Sequence, residues 1–378
     1  MSQTNVHGQG TSTFAVVTGG GTAGHVLPAL AIADALRAAG HPQASIHYVG
    51  AERGIEARLV PPTGYPMTLL PGRGIQRKLT PANIGAIAGL VRAAIRAVRL
   101  VGRLRPSVVV AVGGYASMAV GLAAVVHRVP IVVAEQNQAP GAANRLLARF
   151  AKASAVSFAD TALPRAVITG NPIRAEISAI DPQRDRVACR AAFGVGEGRR
   201  LLVVFGGSLG ALRLNEAVLA ALPAWRDRLD LAVHHVVGRR DWDAVSSVVP
   251  RQPGALEYRM VPYEDDMPAA LAAADLAVCR SGSSTCFELA AASLPSILVP
   301  SPYVTADQQT GNARYLVDAG AAVLVVDDEL DGPRLELEVD ALLGDEARLA
   351  AMATAARTWA RPDAARQIAA LAEAHARG

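Results

Sequence analysis

With 378 residues, 51% of them hydrophobic and 4% aromatic, the chain is too long for one ordinary core and divides into two domains. Ala, Val, Leu and Gly dominate, the makeup of helices packed on parallel sheets, which is the look of an α/β enzyme. The formal charge of +4 and pI of about 9.2 permit nucleic-acid binding, but no aromatic-and-basic interleaving and no helix-turn-helix signal supports that class.

In chain order, "MSQTNVHGQGTST" is polar, with no basic start and no apolar core. Residues 1–13 therefore read as a disordered tail and not as a secretion signal. Cys189, Cys279 and Cys286 form no Cys-x-x-Cys pair and are too few for a disulfide framework, so a reducing, cytoplasmic setting and buried thiols are expected. "FAVVTGGGTAGH" then joins an apolar run to a glycine corner and a helical pattern. Gly19, Gly21 and Gly24 satisfy G-x-G-x-x-G, which lets backbone approach a phosphate at a helix N-terminus; packing alone also explains such a turn. Glu52, after "SIHYVGA", stands loosely where a nicotinamide enzyme keeps its ribose acid. His25 closes the corner either as a base or donor at the mouth of a site or as a satisfied core histidine.

Between Pro71 and Pro106 lie eight basic residues and no acid: Arg73, Arg77, Lys78, Arg92, Arg96, Arg99, Arg103 and Arg105. Steps of four, three and four put Arg92, Arg96, Arg99 and Arg103 on one helix face, and Ile84, Ile87, Leu90, Val91 and Ile95 supply an apolar neighbour. Such a stretch suits an anionic membrane surface, or else is a solvated basic face. The uncharged run Ser107–Val126 is long enough for a membrane span, but Gly113, Gly114 and Tyr115 divide it into a strand and a helix.

"VVVAVGGYAS", "LLVVFGGSLGA" and "LAVCRSGSSTCFE" repeat the strand, corner and helix theme, which calls for parallel sheets with right-handed crossovers. Gly170, Asn171 and Pro172 in "ITGNPIRAE" mark a boundary, giving domains at 14–169 and 170–360. Pro362 opens a last helix, "PDAARQIAALAEAHA", and residues 361–378 are expected to pack back on the first domain. Ligands of open α/β sheets bind beyond the carboxyl ends of the strands, so all four corners are expected to face one interdomain cleft.

The segments "GGGTAGHVLPALAIA", "GGYAS", "EQNQAPGAANRLLA", "GNPIR", "FGGSLGALRLNEAV", "DDMPAALAAADLAVCRSGSSTCFELAAASLPSILVPSP" and "DQQTGNA" follow one another as in the MurG family, which the chain resembles over about residues 14 to 375. The resemblance implies a GT-B glycosyltransferase of two Rossmann-like parallel-sheet domains. It implies inverting transfer of N-acetylglucosamine from UDP-N-acetylglucosamine to the 4-hydroxyl of a polyprenyl-linked muramyl pentapeptide, lipid I to lipid II, at the cytoplasmic face of the membrane as a peripheral enzyme. The acceptor falls to the N-terminal half and the nucleotide sugar to the C-terminal half.

Residue by residue, Ser283, Ser284 and Thr285 match the helix start beside the donor diphosphate, where backbone N–H groups and the helix dipole suit an anion and no metal or other cofactor is required. Glu288 matches the acceptor for the ribose diol and Glu264 the backbone at the uracil; Asn137, Arg174, Ser208 and Arg280 match further donor contacts. Gln308 and Gln309 match the pair that reads sugar hydroxyls, work for groups that both donate and accept. Alternatively, Ser283 and Thr285 only cap their helix and Glu288 faces water. Thr22, Ala23, Gly24 and His25 match the loop that meets the acceptor diphosphate and the reaching donor sugar, with His25 assisting the attacking hydroxyl. Gly20, Gly21, Gly113 and Gly114 are acceptor-side backbone, and Tyr115 and Glu135 further catalytic candidates. Two positions depart from the family: Ala134 where most relatives carry histidine, and Leu209 where they carry glutamine. Leu cannot make either hydrogen bond of a glutamine, so an acceptor other than the muramyl lipid, or a non-catalytic nucleotide-sugar binder, is the alternative.

Overall fold

The structure is a computed structural model that describes residues 12–71, 82–207, 210–249 and 254–378, with the side chains of residues 82–88, 90 and 305 excepted. The chain forms two compact units: Met1–Gln136, Pro140–Pro172 and Asp363–Gly378 make the first, Asn137–Ala139 and Ile173–Pro362 the second.

In the first unit, Val-rich runs become the strands β1 (Ala15–Gly19), β2 (Ile46–Ala51), β3 (Met67–Leu70), β4 (Val108–Gly113), β5 (Ile131–Glu135), β6 (Ala153–Val156) and β7 (Ala166–Ile168). They form a parallel sheet in the order β3-β2-β1-β4-β5-β6-β7. Strands buried on both faces read as continuous apolar runs, which is why Val108–Val112 shows no polar alternation. The crossovers carry α1 (Ala23–Ala38), α2 (Glu56–Leu59), α3 (Ala82–Leu104), α4 (Gly114–Val126) and α5 (Ala142–Leu147). One sheet face packs Val17, Val110 and Val132 against Val26, Ala29 and Ile32 of α1. The other packs Val109, Ala111 and Val133 against Ala93 and Ala97 of α3 and Val120 and Ala123 of α4. The run Ser107–Val126 is thus a strand and a helix, and among the described residues no helix is long and apolar enough to cross a membrane.

The second unit begins with two helices, α6 (Ala175–Ser178) and α7 (Pro182–Ala192). Its parallel sheet, in the order β10-β9-β8-β11-β12-β13, consists of β8 (Arg200–Phe205), β9 (Leu231–Val236), β10 (Glu257–Val261), β11 (Leu276–Cys279), β12 (Ser296–Leu298) and β13 (Ala322–Leu324). Helices α8 (Leu212–Trp225), α9 (Trp242–Ser246), α10 (Met267–Ala273), α11 (Ser283–Ala291), α12 (Gln308–Asp318), α13 (Gly332–Leu343) and α14 (Glu346–Trp359) connect and follow these strands. Asp181, Asp266, Asp331 and Asp345 accept backbone N–H groups at the starts of α7, α10, α13 and α14, satisfying donors that a helix end leaves unpaired. The last helix, α15 (Ala364–His375), belongs to the first unit, where Ile368, Ala369 and Ala372 join the core beneath α1. Cys279 and Cys286 are buried, Cys189 is partly so, and all three are free thiols.

Candidate functional site

In both units the chemistry-bearing residues collect where strands end and helices begin. In the first unit β1 stops at Gly19 and α1 starts after Thr22, whose carbonyl accepts from His25 and Val26 N–H. Thr22 lends its own helix no side-chain cap, and its Oγ1 lies 3.2 Å from His25 Nδ1. Among the described residues the N–H groups of Thr22, Ala23 and Gly24 have no partner within the chain. They form an anion-accepting end of the kind a helix dipole favours.

The second corner stacks on the first. Gly20 N–H donates to Gly113 O at 3.3 Å, and Gly113 and Gly114 hold φ of +123° and +87°. A Cβ on Gly114 would strike the Gly20 carbonyl, and one on Gly113 would come within 2.8 Å of the His25 ring, so only glycine fits this approach. Ser117, fully buried in the quoted "GGYAS", bridges the two: its Oγ lies 2.7 Å from both the Thr18 and Gly113 carbonyls and accepts Gly113 N–H at 3.1 Å. Burial lowers the pKa of His25 below 6.5, countered by the Glu135 carboxylate, the Gly20 carbonyl and Glu56. The imidazole is therefore neutral at neutral pH and competent to accept a proton.

Of the other catalytic candidates in this unit, Glu135 is buried, its Oε2 accepting from Gly141 N–H at 3.0 Å and Asn144 Nδ2 at 2.9 Å. It reaches His25 through its field. Tyr115 turns to the third helix, its hydroxyl 2.9 Å from Pro71 O and 3.3 Å from Gly89 O. Ala134 lies in the core with Val132 and Ala155. Glu52 lies 3.5 Å from exposed Arg96. On α3, Arg92, Arg96, Arg99 and Arg103 are all exposed, and Val91 and Ile95, 53% and 46% exposed, flank them. Arg73, Arg77 and Lys78, and the side chains of Ile84, Ile87 and Leu90, lie outside the described residues.

In the second unit α11 begins after Gly282, an N-cap residue with no side chain to cap it. Glu288, one turn on, is not solvated: its carboxylate is 14% exposed and 3.6 Å from Arg174 Nη2. Burial raises its pKa, and Arg174 works against the rise. Arg174 Nε is buried with no hydrogen-bond partner among the described residues. Gln308 Nε2 donates to Ala139 O at 2.8 Å, and Gln309 Oε1 accepts Ser301 N–H at 2.8 Å while its carbonyl accepts from Ser281 Oγ. Asn137 reaches this group through Asn312, a fully buried residue of "DQQTGNA" whose Oδ1 accepts Gln138 N–H at 3.2 Å and whose Nδ2 lies 3.4 Å from Asn137 Oδ1 and Ser281 O.

Arg280 is tied to its own unit. Its Nη1 donates to Val299 O, Pro300 O and the Asp327 carboxylate, which Arg213 also approaches at 3.4 Å. It therefore braces the loop leading to Gln308. The carboxylate of Glu264 lies 2.9 Å from His234 Nε2 and accepts Asp266 N–H, fixing the turn into α10. Ser208 and Leu209 lie outside the described residues. Sequence reasoning missed Asn312, Ser117, Asp327 and Glu56; the first two stand inside motifs it had quoted, and the last two carry no local pattern.

Both halves match models of glycosyltransferase family 28, its N-terminal domain over residues 15–156 and its C-terminal domain over residues 201–368. A UDP-N-acetylglucosamine--N-acetylmuramyl-(pentapeptide) pyrophosphoryl-undecaprenol N-acetylglucosamine transferase of Nocardioides sp. is 43% identical over 359 residues, covering 94% of this chain and 96% of its own. One of the same name from Desulforudis audaxviator is 39% identical over 360 residues, 92% of this chain and 95% of its own. The crystal structure of Acinetobacter baumannii MurG superposes with a TM-score of 0.73 at 29% identity, covering 96% of this chain and 99% of that one. With family 28 domains in both halves, a GT-B fold of two parallel sheets and relatives of one name along nearly its whole length, the chain belongs to the MurG family of glycosyltransferases.

Proposed function

We propose that the stacked glycine corners of the first unit receive the acceptor and the start of α11 in the second unit receives the nucleotide sugar. The reaction is the family's: the enzyme transfers N-acetylglucosamine from UDP-N-acetylglucosamine to the lipid-linked muramyl pentapeptide, making lipid II from lipid I for peptidoglycan. The observation that carries this reading is identity of 39% and 43% to transferases of that name, over more than nine tenths of the chain.

In the step we infer, the muramyl 4-hydroxyl oxygen attacks the anomeric carbon and bonds to it as the bond from that carbon to the UDP oxygen breaks, inverting the centre. His25 takes the hydroxyl proton; its lowered pKa and its place beside the unpartnered amides of Thr22, Ala23 and Gly24 support that role. UDP departs with the bonding pair. The start of α11, where the N-cap is Gly282, meets the growing negative charge with backbone dipoles, without a metal. Glu288 and Arg174 hold the ribose side, and Gln308 and Gln309 the sugar hydroxyls. The exposed arginines of α3 rest on an anionic membrane surface, with Val91 and Ile95 entering it, so that the polyprenyl chain stays in the bilayer at its cytoplasmic face.

The test is turnover of UDP-N-acetylglucosamine with a soluble lipid I analogue. Equal amounts of UDP and disaccharide product are expected. Donor consumption that leaves the muramyl compound unmodified would sink the reading.

A further inference from the structure

Behind the first glycine corner lies a carboxylate that no part of the transfer step uses. Glu56, at the start of the short helix α2, is 0% exposed. Its Oε1 accepts Ala51 N–H at 2.6 Å, and Gly21 N–H reaches Oε2 at 3.0 Å and Oε1 at 3.3 Å. The chain makes room for it from three sides, because a Cβ on Gly20, Gly50 or Gly54 would run into the Glu56 side chain. Beside it the Tyr48 hydroxyl donates to Gly19 O at 2.5 Å, so the carbonyl before the corner and the amide within it are both tied from the buried side.

A buried carboxylate costs several kcal/mol in order of magnitude unless its oxygens are satisfied, and here the satisfying donors include an amide of the corner itself. That is a peculiar arrangement for a loop that meets an anion. Gly21 N–H is spent inward, on a negative group, while the next three amides, of Thr22, Ala23 and Gly24, have no partner in the chain among the described residues. A free glycine turn at φ +93° could aim its amides several ways; one whose Gly21 N–H is held by a fixed carboxylate has one choice. Preorganised donors act without the cost of ordering them when the ligand arrives.

We propose that Glu56 is a positioning residue for the acceptor: by clamping Gly21 N–H from inside, it fixes the turn that presents the Thr22, Ala23 and Gly24 amides to the acceptor's diphosphate. This rests on the acceptor reading of the corner given above. Glu56→Gln keeps the volume and one carbonyl oxygen but sets an NH2 group where an oxygen now receives an N–H. With the remaining oxygen at the Oε1 position, Ala51 N–H keeps its acceptor while Gly21 N–H loses the 3.0 Å bond and retains only the longer 3.3 Å one, so the clamp on Gly21 loosens.

Steady-state kinetics of the full-length Glu56→Gln variant should show the KM for a soluble lipid I analogue raised about tenfold, kcat changed less, and UDP-N-acetylglucosamine affinity by calorimetry as in the wild type. Glu56→Asp, too short to span Ala51 and Gly21, should behave like Gln, since charge without reach does not rescue. A folded Gln variant with wild-type acceptor KM overturns the proposal. A wild-type enzyme that makes no muramyl product overturns the acceptor reading and this inference with it. Amide hydrogen exchange on the wild type decides the matter if the variants do not fold. Gly21 N–H should exchange slowly, while those of Thr22, Ala23 and Gly24 exchange fast and slow down only when the acceptor analogue is added. Equal fast exchange of all four in the free enzyme would refute the clamp.

Discussion

The imidazole of His25 is held neutral by burial more than it is held charged by Glu135, the Gly20 carbonyl and Glu56, and the balance sets a pH dependence. A base with a pKa below 6.5 stays unprotonated into mildly acidic solution, so the acid limb of kcat should lie below pH 6.5. Glu135→Gln removes the largest influence favouring the imidazolium and should move that limb further down; a pH–rate profile whose limb moves up would contradict it. His25→Ala should lower kcat by about a hundredfold with donor affinity unchanged. Glu288 runs the other way. Burial raises its pKa above 4.5, so the ionised form that the proposed ribose contact requires is lost sooner as the solution is acidified. Glu288→Ala should weaken UDP-N-acetylglucosamine by about 1 to 3 kcal/mol at neutral pH. Arg174→Gln, which removes the cation holding that pKa down, should make the loss of affinity begin at higher pH, as calorimetry across a pH series would read. Both groups were legible in the sequence because each sits in a short local pattern, Gly-x-x-Gly-His and a helix start. Glu56 and Asn312 were not: the groups they hold lie 35 and 174 residues away, and backbone amides leave no mark in a sequence.

The strands β1, β4, β8 and β11, each an apolar run before a Gly- or Ser-rich corner, could be read directly, since such a run is the signature of a buried parallel strand turning into a helix. The short edge strands escaped that reading. β7 is three residues long and exposed, and β10 alternates no clean apolar face, because an edge strand has only one neighbour to satisfy. Helix α11 gives one prediction at this scale. If its N-terminus, and not a cation, balances the departing UDP, then EDTA should leave the initial rate within about twofold of the untreated enzyme; a loss restored by Mg²⁺ would assign that work to a metal. Helix α3 gives another. Changing Arg92, Arg96, Arg99 and Arg103 together to Gln should release the protein from anionic vesicles, each arginine contributing on the order of 1 kcal/mol, with soluble-acceptor turnover retained. Val91→Ser with Ile95→Ser should weaken vesicle binding even at low salt, where the charges still hold. In flotation, a four-fold Gln variant that still rises with the vesicles would leave α3 as a solvated face.

At the scale of the molecule, the first unit is completed by the last helix of the chain, α15, whose Ile368, Ala369 and Ala372 are buried against the α1 side of the sheet. Ending the chain at Pro362 should therefore unfold the first unit at lower denaturant than in the full protein while UDP-N-acetylglucosamine still binds the second; two separated transitions are expected in urea, and an unshifted first transition would show that α15 adds nothing. The second unit has its own loan from elsewhere in the chain, Asn137–Ala139, whose backbone and side chains occupy Gln308 and Asn312. A gene cut at residue 172 into two separately expressed halves would thus carry three residues of this polar cluster away on the wrong fragment. Asn312 would be left with polar groups facing a void, and Gln308 with a carboxamide free to swing. The two halves look like interchangeable modules on paper, but recombination between distant relatives at that junction would pair each α12 with a foreign 137–139 segment, so the boundary is one across which these two stretches must be inherited together.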